Sequence, residues 1–295
     1  MQKSEMLEQI QNGKGFIAAL DQSGGSTPKA LAGYGVAQDA FANDDEMFAL
    51  IHDMRVRIMT SHAFCGERVI GAILFEKTMD GMADGMPVPA YLQSQGVVPF
   101  LKIDKGLEEE ADGVQMMKPI GGLDDLLTRA AKMGVFGTKM RSVINLASPT
   151  GIAAIVKQQF EVASQIIDSN MMPMIEPEIS INSPQRAAAD QILLAELLKA
   201  LDALPQGRKV MLKLTLPVVS DTFALLVDHP NVVRVVALSG GFSRTEACTE
   251  LAKNRGVIAS FSRALLEELR HPMSQGEFDA SLDSAIAEIH SASTA

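Results

Sequence analysis

The sequence predicts a closed (β/α)8 barrel, a TIM barrel, and three observations carry that prediction. Eight short apolar segments rich in Val, Ile, Leu and Met alternate with helical patterns, as buried parallel strands do when helices separate them. No Pro-, Gly- or Ser-rich linker and no break in composition divides the 295 residues, so a single domain over 1–295 is the economical reading. The first apolar segment runs into Asp21-Gln22-Ser23-Gly24-Gly25, without the G-x-G-x-x-G spacing that a doubly wound nucleotide-binding sheet would place there. Right-handed crossovers then set the helices outside a ring of parallel strands.

Taken in order, the expected strands are 16–21, 69–75, 97–104, 136–144, 172–179, 210–216, 232–238 and 257–261. Between them, residues 45–63 carry Met47, Leu50, Ile51, Met54, Ile58 and Met59 at helical spacing, and 152–167 and 187–204 repeat the pattern. Pro149-Thr150 and Ser183-Pro184 predict helix starts. Gly134 and Gly256 predict helix ends that hand the chain to the next strand.

Composition bounds the function. A hydrophobic content of 47% supports a large core, while no apolar run approaches the roughly 18 residues of a bilayer span. The opening M-Q-K-S-E-M-L-E-Q-I is an amphipathic helix start rather than a signal peptide, which predicts a cytoplasmic protein. A net charge of −10 argues against nucleic acid or an anionic membrane as partner. Cys65 and Cys248 have no metal-site spacing and are expected to be core thiols on helices. The five histidines end no strand, so neither a metal nor another cofactor is expected.

In a barrel the C-terminal strand ends form the active face. The first strand ends in Asp21. The third delivers Lys102, Asp104 and Lys105, the fourth Lys139 and Arg141, the fifth Glu176 and Glu178, and the sixth Lys213. The seventh ends in Ser239-Gly240-Gly241, and the eighth leads to Arg263. Lys139 and Arg141 are two apart, as are Glu176 and Glu178, so each pair shares a side of its strand; helices cover the outer side, which leaves inward as the polar direction. One buried ion pair is ordinary packing, but charges on so many strand ends point to a site. For Asp104 and Lys105 singly the two readings balance, and Glu108-Glu109-Glu110 reads as a solvated segment.

The chemistry follows from residue type. Lys213 sits among Val210, Leu212, Leu214 and Leu216, where desolvation, aided by repulsion from Lys139, would favour the neutral amine that attacks a ketone to form a Schiff base. Glu176, with a pKa raised by its apolar pocket, would serve as general acid and base, and Asp21 would orient or deprotonate a substrate hydroxyl. Backbone N–H groups of Ser239, Gly240 and Gly241, with Arg263, suit one phosphate. A second phosphate is expected near Lys102 and Arg141.

The motifs A-L-D-Q-S-G-G-S, A-I-L-F-E-K-T-M-D-G, V-V-P-F-L-K-I-D-K-G, F-G-T-K-M-R-S-V-I, M-P-M-I-E-P-E-I, V-M-L-K-L-T-L-P, L-S-G-G-F-S-R-T-E-A and S-F-S-R-A-L run in order along nearly the whole chain. Together they resemble the class I, Schiff-base fructose-1,6-bisphosphate aldolases, in the short form of the bacterial branch. The resemblance implies reversible cleavage of fructose 1,6-bisphosphate, a glycolytic lyase reaction, with Lys213 as Schiff-base lysine, Glu176 as acid/base with Glu178 beside it, and Asp21 at the bond being broken. It further implies Lys102, Lys139 and Arg141 as substrate and phosphate ligands, and Ser239, Gly240 and Arg263 around the phosphate of the dihydroxyacetone half. The chain departs from the animal enzymes in the Leu-Thr-Leu after Lys213, in Ser262 where a glycine precedes the arginine, and in a S-A-S-T-A end without a terminal tyrosine. The proton at the ketose carbon is therefore assigned to Glu178 or Asp21. Another imine-forming sugar-phosphate aldolase or a transaldolase-type barrel is the alternative, followed by a non-catalytic sugar-phosphate-binding barrel. Assembly into a homo-oligomer stays open.

Overall fold

The computed structural model describes residues 1–295 and consists of eight parallel strands in sequential order. They are β1 (Phe16–Leu20), β2 (Val69–Leu74), β3 (Val98–Lys102), β4 (Gly137–Ile144), β5 (Met172–Ile179), β6 (Val210–Thr215), β7 (Val232–Leu238) and β8 (Ile258–Ala259). The ring closes where the amide of Ala19 on β1 donates to the carbonyl of Phe261, at 3.1 Å. The longer helices are α1 (Lys3–Asn12), α2 (Ser26–Tyr34), α3 (Asp44–Met59), α4 (Leu123–Lys132), α5 (Pro149–Asp168), α6 (Arg186–Asp202), α7 (Arg244–Leu251) and α8 (Gln275–Ser293). The expected (β/α)8 barrel is therefore the observed one.

Local chemistry explains most boundaries. Ser148 caps α5 by accepting from the amide of Gly151 at 3.1 Å, with Pro149 at the first helical position, where its missing N–H is harmless. Ser183-Pro184 starts no helix: it forms a turn in which the Ser183 hydroxyl accepts from the amide of Gln185, and α6 begins at Arg186. Gly134 follows the end of α4 at φ 83°, a region that favours glycine, whereas Gly256, at φ 74°, lies in a separate turn five residues beyond the end of α7 at Leu251 and does not end that helix. Cys248 is buried on α7, but Cys65 lies half-buried in the turn before β2 rather than on a helix. The expected eighth strand shrinks to two residues. No helix is long and apolar enough to cross a membrane.

Two apolar cores result from strand alternation. The larger packs the outer strand faces, including Leu212, Leu214 and Leu216, against the helices. The smaller lies inside the ring, where Ile17, Ala19, Val98, Phe100, Met174, Met211, Val236 and Ile258 fill the half nearest the strand N-termini. Met6 and Ile10 of α1 plug that end. Arg234 on β7 holds the plug, donating to the carbonyls of Ile10 and Gly13 at 3.0 and 2.9 Å, as a cation at a helix C-terminus does. With the lower half filled by apolar side chains, the inward positions further along each strand are left to polar groups.

Candidate active site

Register decides which of those groups meet. Lys102 on β3 is level with Lys139 on β4, and Arg141 with Glu176 on β5. Met174 is level with Met211, so Glu176 and Lys213, two residues further along, face each other across β5 and β6. The paired register of these two strands covers only Met174–Met211 and Ile175–Leu212. Above it the Thr215 hydroxyl takes over, accepting from the amide of Ile179 and donating to its carbonyl at 2.9 and 2.8 Å.

Lys139 occupies the centre. Its Nζ lies 2.6 Å from Asp21, 3.0 Å from Glu176 and 4.0 Å from Asp104, with all four side chains almost wholly buried. Burial works against the ammonium, but the three carboxylates outweigh it and hold the Lys139 pKa above the ordinary lysine value. Asp21 is likewise held well below the usual carboxylate range: burial opposes its charge, and Lys139 and Lys213 overcome that opposition.

Lys213 Nζ is 3.1 Å from Glu176 Oε1, and only 4% of each side chain is exposed. Two expectations change here. The leucines beside Lys213 face the opposite side of β6, so its surroundings are the charged ring rather than an apolar pocket. Glu176 is shifted down, not up: burial pushes its pKa upward, but Lys139 and Lys213 pull it below the ordinary glutamate value. A carboxylate between two cations stays ionised in the resting site.

The remaining expected residues divide by partner. Arg141 pairs with Glu178, and Lys102 with Asp104 at 2.8 Å, also donating to its carbonyl at 2.7 Å. Lys105 reaches outward to Glu76 at 2.9 Å and takes no part in the ring. Four carboxylates (Asp21, Asp104, Glu176, Glu178) thus face four cations (Lys102, Lys139, Arg141, Lys213), a balanced set that limits the cost of burying each charge. Glu108, Glu109 and Glu110 are exposed, as expected.

Arg263 differs, being exposed and forming neither an ion pair nor a hydrogen bond. It stands over the turn after β7, its guanidinium 3.3 Å from where a Cβ on Gly241 would lie. Gly240 and Gly241 have φ of 62° and 126°; the second is a conformation nearly confined to glycine. A side chain at Gly240 would also come within 2.6 Å of Ile181. Ser239, Gly240 and Arg263 line one cavity of about 830 Å³ together with Asp21, Lys102, Lys139, Arg141, Glu176, Glu178 and Lys213. The expected site residues are therefore gathered at one mouth, with Gly241 at its edge.

Strand-end reasoning missed four contributors. Lys29, exposed on α2, lines the same cavity and has no carboxylate partner. Gln22 and Ser262 flank the seam between β1 and β8. Arg55 on α3 is fully buried and donates to Thr78 and Gln22; burial lowers its pKa to about 10, with Asp21 acting in the opposite sense. An arginine on a helix otherwise lined with Met and Ile was the one signal available for it.

No trio of histidine, cysteine or carboxylate side chains is arranged to hold a metal ion. The backbone resembles a fructose-bisphosphate aldolase from Plasmodium falciparum, with a TM-score of 0.80 over 99% of this chain and 94% of that one, at 22% identity. A protein from Corynebacterium glutamicum matches at a TM-score of 0.56 and 14% identity, over 98% of this chain and 93% of the other. At those identities the likeness speaks to the fold. The sequence itself matches the family described as glycolytic class-I fructose-bisphosphate aldolase over residues 3–224, well over half of its length. The chain belongs to the class-I fructose-bisphosphate aldolase family.

Proposed function

We propose that the protein cleaves fructose 1,6-bisphosphate reversibly to dihydroxyacetone phosphate and glyceraldehyde 3-phosphate through an imine on Lys213. The observation that carries the reading is the buried Lys213–Glu176 pair at 3.1 Å, inside a barrel of this family. Transfer of one proton from Lys213 to Glu176 yields a neutral amine and a carboxylic acid together. The amine adds to the C2 ketone, and the acid returns its proton to the departing hydroxyl as water leaves. The iminium then accepts the electron pair of the C3–C4 bond, while Asp21 takes the proton of the C4 hydroxyl and the aldehyde departs. Protonation of the enamine and hydrolysis of the imine release the second product. In the resting site Lys139 keeps Asp21 and Glu176 ionised and in place, ready to accept those protons, and Glu178 steadies Arg141.

The Gly240–Gly241 turn, Ser239 and Arg263 take the phosphate of the dihydroxyacetone half. Lys102 and Arg141 have carboxylate partners, so Lys29 is the better candidate for the second phosphate, with those two residues contacting hydroxyls. The same pairing favours a second reading, in which a singly phosphorylated ketose is the substrate. Faster turnover of the monophosphate than of the bisphosphate would select it.

The test is borohydride reduction in the presence of dihydroxyacetone phosphate and EDTA, followed by peptide mass mapping. A stable adduct on Lys213, absent in Lys213→Met together with activity, is the expected result. An adduct on another lysine discards the site; no adduct, with activity lost to EDTA, discards the mechanism.

A further inference from the structure

Ser262 stands at the N-cap of the one-turn helix Arg263–Leu266, where a serine hydroxyl ordinarily accepts from a first-turn amide. It does not cap this helix. Its Oγ instead accepts from Gln22 Nε2 at 2.6 Å, across the seam from the end of β1. Gln22 is fixed from behind by Arg55, which donates to its backbone carbonyl and lies 3.3 Å from its side-chain oxygen. Arg55 is in turn anchored on Thr78 Oγ1 at 2.7 Å. The bond thus joins the residue after Asp21 to the residue before Arg263.

A helix of one turn does not hold itself. Arg263, with no partner of its own, is aimed by its backbone, which Ala264 and Leu265 anchor in the core on one side and Ser262 ties to the seam on the other. We propose that Gln22 is a positioning residue for the phosphate end of the site: a side-chain clasp, made rigid by Arg55, that sets Arg263 over the Gly240–Gly241 turn through Ser262. The proposal rests on the function given above. It also gives Ser262, at a position where the resemblance leads to glycine, a purpose particular to this chain.

The test is a double-mutant cycle with Gln22→Leu and Ser262→Ala, both at half-buried rim positions, with urea midpoints confirming the fold. Two readouts are taken: KM and kcat for fructose 1,6-bisphosphate, and inorganic phosphate binding by calorimetry. Each single variant should raise KM and weaken phosphate binding about fivefold with kcat within about twofold, and the double variant should be no worse than either. Additive losses, or a fall in kcat and midpoint with KM and phosphate binding unchanged, would overturn the clasp. So would a wild-type protein that binds no phosphate. A wild type without turnover whose phosphate binding still depends on Gln22 and Ser262 would overturn the catalytic reading and leave the clasp standing.

Discussion

Glu176 touches two lysines at once, Lys213 through Oε1 at 3.1 Å and Lys139 through Oε2 at 3.0 Å. One carboxylate therefore both compensates a structural cation and faces the proposed nucleophile. Glu176→Gln separates these duties. The amide keeps the shape but cannot carry a proton between amine and leaving hydroxyl, so kcat should fall by about 10²–10⁴-fold while Lys213 remains in place. Steady-state kinetics with borohydride trapping checks this; near-normal kcat would remove Glu176 from the proton path.

Lys139→Met leaves Asp21, Asp104 and Glu176 facing one another without their shared cation. Stranding buried charge in this way costs about 3–5 kcal/mol, which should appear as a lower urea midpoint with an unchanged slope. A midpoint within error of wild type would mean that the cage contributes nothing to stability.

Stability should plateau around neutrality and fall on both sides. Asp21 and Glu176 have folded pKa values below their unfolded ones, about 3.9 and 4.3, so their contribution is complete above those values and is lost as pH falls below them. Lys139 is raised, so its contribution is complete below the unfolded value of about 10.4 and is lost as pH rises past it. Urea midpoints measured across pH test this, and Asp21→Asn should flatten the acid limb. An acid limb as steep in Asp21→Asn as in wild type would contradict the assignment.

Gly241→Ala forces a Cβ onto a backbone at φ 126°, with Ile181 at 3.1 Å and Arg263 at 3.3 Å from it. A stability loss of about 1–3 kcal/mol is expected from the strain. KM should rise at the same time, because the turn and Arg263 move apart. Unchanged KM would separate this turn from phosphate binding.

The two thiols should be distinguishable. Burial, with Glu288 nearby, pushes the Cys248 thiol up to about 12 against the opposing pull of Arg244, whereas Cys65 is half-buried in a turn. Iodoacetamide at pH 8 should label native protein at Cys65 first and reach Cys248 only on unfolding. Equal labelling rates would refute the assigned environments.

Period-two alternation was enough to place Lys139 with Arg141 and Glu176 with Glu178 on inward faces. It could not say which cation meets which carboxylate, because that depends on stagger between strands remote in sequence. Hence Arg141 and Lys102 read as open phosphate ligands although each is already paired, and Glu176 read as shifted upward although two lysines flank it. Leu212 and Leu214 misled for a different reason: neighbours in sequence along a strand lie on opposite faces, so alternation itself sets them away from Lys213. Gln22 and Lys29 escaped notice because they reach the mouth from a loop and a helix, where no periodic signal marks them, and Arg55 because it lies wholly buried behind Gln22.

β4 and β5 share eight register pairs, whereas β7 and β8 share two. Opening the short ladder breaks few backbone bonds, so amide exchange at Ile258 and Ala259 should outpace that at Met174 and Ile175. Such a ring is stiff on one side and compliant on the other. The stiff wall carries Lys139, Arg141, Glu176 and Glu178, while the yielding wall leads to Arg263. If the proposed function holds, entry and departure of a phosphorylated ligand should deform the compliant wall first, and the charged groups of β4 and β5 should keep their spacing through each cycle.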